Sequence, residues 1–304
     1  MTAPRRDRKA LALVAPALGL LTVGAIGPLL IVLAYSFMTP ADHSGVRLPL
    51  TTQAWQSILL TRDIFDDSLG WADAHLTIFA RSLKLSLLTA GVTFVLGLPT
   101  AWFIATRPPR QRPLWLFLIT IPFWTNLLIR TIAIYEIIRN EGLLNQALMA
   151  TGLTRGPVQI LYTDAAVLIG MAYVYLPLMV LPLYAAIARF DMRLLEAAYD
   201  LYASRWRALA HVVLPVIRPG VVAGLILVLV PSLGAYVTPR VLGGGKRMMI
   251  GNFIELQFGQ AQNWPLGAAL SVMLLGVVGL ALYGWMRLSA RGDARGGARE
   301  TSDG

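Results

Sequence analysis

Residues 165–188 read AAVLIGMAYVYLPLMVLPLYAAIA, without a single charged side chain. At 1.5 Å per residue a helix over this run is about 36 Å long, enough to cross a hydrocarbon core of about 30 Å. The run is continuously apolar rather than alternating, which selects a helix over the strand of a membrane barrel. Those are the two backbone forms that satisfy their own N–H and C=O groups in lipid. Outward in both directions the pattern repeats: 10–41, 85–106, 219–239 and 256–286 are also uncharged. A further run, 113–138, is strongly apolar but carries Arg130 and Glu136. The expectation is an all-α integral membrane protein with six transmembrane helices, near 11–36, 82–106, 114–138, 165–188, 219–240 and 266–287.

The composition agrees. Of 304 residues, 56% are hydrophobic and 14% charged, against about 25% charged in an ordinary soluble domain. That excludes a soluble enzyme as the default and excludes disorder, which needs low hydrophobicity. Cysteine is absent, so disulfides, thiolate metal sites and a cysteine nucleophile are excluded. His43, His75 and His211 lie far apart in sequence, so no metal site is expected. Arg5, Arg6, Arg8 and Lys9 resemble the start of a signal peptide. The apolar stretch after them is about twice the usual length and ends without a small-x-small cleavage site, so it reads as a retained span.

The net charge of +10 is explained by topology. With the N-terminus inside, the inner segments hold sixteen Lys and Arg residues and the outer ones eight. This bias puts both termini in the cytoplasm and argues against a nucleic-acid surface. The organisation expected is a basic cytoplasmic tail at 1–9, a first span and periplasmic loop at 10–77, a core at 78–288, and a disordered cytoplasmic tail at 289–304. Gly243-Gly244-Gly245-Lys246 lacks phosphate-loop spacing and reads as a flexible connection.

The longest inner loop, 189–218, is not polar filler. Leu195, Tyr199, Tyr202, Trp206, Leu209 and Val213 fall on one face if the segment is one helix. Such a stripe needs cover from headgroups, from the protein's own helix ends or from a soluble partner. Within this loop, Glu196-Ala197-Ala198 and Leu214-Pro215 resemble the EAA loop of ABC-importer permeases. Tyr202 stands where that motif has glycine, which leaves open a more continuous helix or a turn at Ala203-Ser204. Pro122-Phe123-Trp124-Thr125-Asn126, Asn140-Glu141-Gly142, Gly234-Ala235-Tyr236-Val237-Thr238-Pro239 and Asn263-Trp264-Pro265-Leu266-Gly267 are similar to the spermidine/putrescine-type branch. The resemblance covers about residues 80–288.

It implies the type I ABC-importer permease (MetI-like) fold. It also implies one of two membrane subunits, commonly a hetero-dimer, served by a periplasmic substrate-binding protein and two ATP-binding subunits. The chain itself would bind no cofactor and catalyse nothing; ATP and Mg would be used by the partner ATPase. Glu196, Ala197, Ala198, Asp200, Tyr202, Trp206, Leu214 and Pro215 would form the coupling loop, with Glu196 near the start of its helix. Ferric iron, thiosulfate or an aminophosphonate remain alternative cargoes. An intramembrane enzyme lacks paired catalytic groups, and an ion-driven carrier lacks intramembrane carboxylates.

For the pathway or the subunit interface, the candidates are Trp124, Asn126, Arg130, Tyr135, Glu136, Tyr173, Tyr175 and Tyr236. Arg130 is a costly intramembrane charge. The tyrosines and the tryptophan offer ring faces to a cation, although packing and interfacial belts use the same residues.

Overall fold

A computed structural model describes residues 8–41, 45–62 and 69–300. The basic residues before Arg8 and the last four residues lie outside them. In chain order the elements are α1 (Arg8–Tyr35), β1 (Met38–Pro40), β2 (Val46–Leu50), α2 (Gln53–Leu59), β3 (Leu60–Arg62), β4 (Leu69–Trp71) and α3 (Asp73–Ala105). Next come α4 (Arg112–Thr120), a 3-10 turn at Ile121–Trp124, α5 (Leu127–Ile138), α6 (Leu143–Ala150), α7 (Asp164–Ile187), α8 (Met192–Asp200) and α9 (Arg205–Ala208). A π turn at Leu209–Val213 leads into α10 (Leu214–Leu233), α11 (Val237–Gly243), α12 (Ile250–Phe258) and α13 (Trp264–Glu300).

Among the described residues, five helices are long and apolar enough to cross a membrane, and a sixth span exists if the bent pair Arg112–Trp124 and Leu127–Ala150 counts as one. The pair is bent by 95°. The third apolar run is therefore not the continuous helix expected from its composition. Pro122 interrupts the ladder, Thr125 is extended, and Asn126 starts a new helix by accepting the Leu128 N–H at 2.8 Å. The fifth span also shifts. It is helical from Arg205 to Leu233 and stops at Gly234 instead of reaching 240. At the other end of the chain, α13 stays helical through 289–300, where composition suggested a loose tail.

The chain forms two units, one of residues 1–75 and 254–304, the other of 76–253. In the first, α1 packs on α13, with the rings of Tyr35 and Trp264 6.3 Å apart. Two short hairpins, β1–β2 and β3–β4, flank α2. The second unit is built around α7 and α10. Gly220 and Gly224, four residues apart, let these helices approach closely: a Cβ on Gly220 would lie 2.4 Å from Ala186 Cβ. This is the small-xxx-small packing of membrane helices, where close backbone approach takes the place of hydrophobic drive. Ala101, Ile104, Met179, Leu183, Ile187 and Ile217 fill the core around the crossing.

Candidate functional site

The segment 189–218 has internal construction. Asp191 caps α8 by accepting the Arg193 N–H at 3.0 Å, a bond that satisfies an otherwise open helix-start donor. Glu196 is not at the helix start. It is the fifth residue of α8, exposed, and the capping role belongs to Asp191. Ala197 is exposed and Ala198 buried. Asp200 is the exposed last residue of α8, an acid at the negative end of a helix dipole, which gives it no local stabilisation.

Tyr202 resolves the question raised by its place in the motif. Its φ is +57°, the left-handed region that favours glycine. Tyr202 N–H donates to Tyr199 O at 2.9 Å and Ala203 N–H to Ala198 O at 3.0 Å, the bond pair of a Schellman cap. The turn is kept with tyrosine in place of glycine. Ser204 then caps α9 by accepting the Arg207 N–H.

The break has a consequence for the apolar stripe. It is not one continuous face, as expected for a single helix, because α8 ends at Asp200 and α9 begins only at Arg205, with the left-handed Tyr202 between them. Leu195, Leu209 and Val213 pack into the α7–α10 core. Leu201, Tyr202 and Trp206 instead stand 82%, 95% and 80% exposed. The core-facing half anchors the segment, and the other half presents large apolar side chains to whatever adjoins it. Leu214 and Pro215 explain the junction with the span. Pro215 has no N–H to return to the preceding turn, and the five residues before Leu214 adopt the wider π form.

The second group of candidates does not converge on one place. Trp124 is 78% exposed beside the break, its ring edge-on to Phe117 at 6.0 Å. Asn126 is used as the α5 cap. Arg130 is buried, 8% exposed. Its Nη2 donates to Thr125 O at 3.1 Å, its guanidinium lies 5.3 Å from the Phe123 ring centre, and its Nε has no partner. Arg130 thus ties α5 back to the extended residue of the break. Glu136 is exposed and paired with Arg139 at 3.1 Å. Tyr135 meets Tyr162, hydroxyl to hydroxyl, at 3.3 Å. That hydrogen bond, ahead of burial and charge, raises the Tyr162 phenol above its ordinary range. Tyr175 donates to Pro231 O at 3.2 Å, a carbonyl in the part of α10 that Pro231 interrupts. Tyr173 and Tyr236 are 40% and 50% exposed, and the Tyr236 carbonyl accepts from Asn252 at 2.6 Å.

Several structurally important residues were not singled out in the sequence. Asn145 is fully buried and bonds Arg139 O, Val158 O and Val158 N–H. Asp164 lies between Arg81 and Arg247 at 3.9 and 3.7 Å. Gly244 has φ +59°, and a Cβ there would sit 2.3 Å from the Tyr162 ring, so the glycine stretch is a fitted turn rather than a loose connection. The positive φ of Tyr162, +65°, belongs to the same contact.

Residues 86–292 match the family described as binding-protein-dependent transport system inner membrane component. The chain is 38% identical over 262 residues to the spermidine/putrescine transport system permease protein PotB of Escherichia coli (strain K12), covering 86% of this chain and 91% of the relative. It is 36% identical over 260 residues to the PotB of Haemophilus influenzae, with 86% and 87% covered. Among solved structures, a bacterial ABC transporter involved in import of the acidic polysaccharide alginate superposes with a TM-score of 0.61 at 17% identity. That match covers 93% of this chain and 96% of the other. At that identity the likeness concerns the fold.

Proposed function

This chain belongs to the family of binding-protein-dependent transport system inner membrane components, and on that premise we propose that it is one membrane subunit of an ATP-driven polyamine importer. In this reading it crosses the membrane six times, with the broken α4–α5 pair as the third span and both termini in the cytoplasm. It pairs with a second membrane subunit. A periplasmic binding protein delivers spermidine or putrescine, and two ATP-binding subunits supply the work, using ATP and Mg. The chain's own contribution is mechanical. Differential contacts of the loaded binding protein and of ATP-closed subunits bias an outward-facing against an inward-facing arrangement.

The observation that carries the proposal is the construction of 189–218. A handle must be rigidly joined to the spans and must offer a graspable surface. Leu195, Leu209 and Val213 supply the joint, and Leu201, Tyr202 and Trp206 supply the surface. Aromatic side chains of this kind dominate interface energetics. Glu196 and Asp200 add exposed acidic groups for basic residues of the ATPase. The pathway or subunit interface is assigned to Trp124, Asn126, Arg130, Tyr135, Glu136, Tyr173, Tyr175 and Tyr236. Tyr173 and Tyr236 leave ring surface uncovered for a cation, whereas Asn126 and Arg130 also serve the break. With Glu136 paired to Arg139, the spans among the described residues offer little electrostatic attraction to a polycation, which favours cargo selection mainly by the binding protein and the second subunit.

The test is uptake by the transporter purified with its copurifying subunits and reconstituted with its binding protein. Labelled spermidine or putrescine should accumulate only with ATP inside the ATPase-facing compartment. Accumulation of ferric iron, thiosulfate or an aminophosphonate in place of any amine would reject the cargo assignment. Recovery without a P-loop ATPase would reject the machine.

A further inference from the structure

The turn between α3 and α4 has a feature that neither coupling nor cargo explains. Side chains from the end of α3 and from α4 line an apolar groove of about 590 Å³, among them Pro99, Phe103, Trp115, Leu118 and Ile119. This volume lies within the ~300–1,000 Å³ of small-molecule clefts. The polar atoms along it are already satisfied: Thr100 Oγ1 donates to Leu96 O at 2.8 Å. The groove floor therefore has nothing to offer a polar ligand. One end is different. The Arg107 guanidinium lies 4.0 Å from the centre of the Phe103 ring, which is itself a wall of the groove. Arg112 donates from Nε to Arg107 O at 2.8 Å, which brings the second guanidinium to the same end. Arg110 is exposed on the turn between them. None of the three has a carboxylate partner among the described residues. The indole N–H of Trp115, whose ring is edge-on to Phe103 at 5.1 Å, has no hydrogen-bond acceptor among them either.

We propose that this groove is a binding site for an anionic phospholipid, with an acyl chain against Phe103, Trp115 and Leu118 and the headgroup phosphate between Arg107 and Arg112. The occupant is fixed by charge complementarity. An apolar slot on membrane helices suits an acyl chain, but so would a neighbouring helix. Two guanidiniums at its mouth, neither with a carboxylate partner among the described residues, suit a phosphate, which arginine binds with paired, planar hydrogen bonds. Trp115 is placed to donate to an ester carbonyl at the interface, the level at which tryptophan is enriched. Basic pockets between spans at the membrane surface take anionic headgroups for the same reason.

The experiment is native mass spectrometry of the intact transporter after incubation with equal amounts of phosphatidylglycerol and phosphatidylcholine. The wild type should retain phosphatidylglycerol in preference. Arg107→Gln with Arg112→Gln should lower that retention about thirty-fold, roughly fivefold for each arginine. Arg155→Gln with Lys246→Gln, which removes the same charge from other exposed loops, should leave it unchanged. Leu118→Trp, which fills the groove and spares the arginines, should also abolish the preference. Equal retention of the two lipids would overturn the proposal. So would unchanged retention in the arginine variant, or equal losses in the two charge variants. Recovery of lipid on the isolated chain but none in the transporter would also overturn it, because a partner helix would then occupy the groove.

Discussion

Replacing Tyr202 by glycine separates two properties that the native residue combines. The backbone at 202 is left-handed, φ +57°, which costs a non-glycine residue about 1–2 kcal/mol. Glycine removes that cost but gives back about 0.5–1 kcal/mol through the greater freedom of its unfolded chain. The ring is 95% exposed, so its removal forfeits almost no packing within the chain. The net expectation is a Schellman turn stabilised by about 0.5–1 kcal/mol. Hydrogen exchange at the amides of Tyr202 and Ala203, the two donors of the cap, should slow by roughly threefold in that variant, with exchange in α7 unchanged. Coupling should move the opposite way. If the ring is an anchor on the ATPase, its loss weakens that contact by about 2 kcal/mol or more, and ATP-driven uptake falls while the protein inserts normally. Tyr202→Ala keeps the backbone strain and loses the ring, so it should impair uptake equally without the gain in protection. Faster exchange in the glycine variant would refute the left-handed assignment. Full uptake in both variants would refute the anchor.

Three other perturbations bear on neighbouring parts of the account. Asn126→Ala removes the cap of α5 and should cost about 1 kcal/mol, read as a lower midpoint in a detergent melt and faster exchange at Leu128. Gly244→Ala forces a side chain into the Tyr162 ring at a left-handed φ and should cost at least ~2 kcal/mol; pairing it with Tyr162→Ala should recover only the steric part. Arg130→Met removes the charge-assisted bond to Thr125, worth about 1.5–3 kcal/mol, and should loosen the break without changing the apparent KM for cargo. A raised KM would place Arg130 on the pathway itself.

Much of this architecture was legible in the sequence because lipid imposes a single demand. Uncharged runs such as 165–188 cannot be satisfied any other way, and their positions needed no tertiary information. The breaks were harder to see. Hydropathy cannot distinguish a continuous third span from one that bends by 95°, since Thr125 and Asn126 are tolerated in either; the Asn cap beside Pro122 was the available signal. The stripe in 189–218 was found by its spacing, but the spacing assumed an unbroken helix. A tyrosine in a glycine position gave no warning that it would adopt the glycine conformation, because the two cap hydrogen bonds that hold it there are backbone bonds. Gly220 and Gly224 were in plain sight as a pair four residues apart, and their meaning depended on knowing that α7 crosses at that point. Asp164 with Arg81 and Arg247 joins residues more than eighty positions apart, and spacing carries no information at that distance.

In the proposed mechanism, work reaches this protein through the exposed face of 201–206. The chain has no cysteine, so Trp206→Cys gives a single thiol at that face. In the intact transporter, a short cross-linker that alkylates the thiol at one end and carries a photoreactive group at the other should join it to an ATP-binding subunit, and a membrane-impermeant maleimide should reach it only from the side where ATP is hydrolysed. Labelling from the opposite side, or a cross-link to the substrate-binding protein with none to the ATPase, would contradict the account.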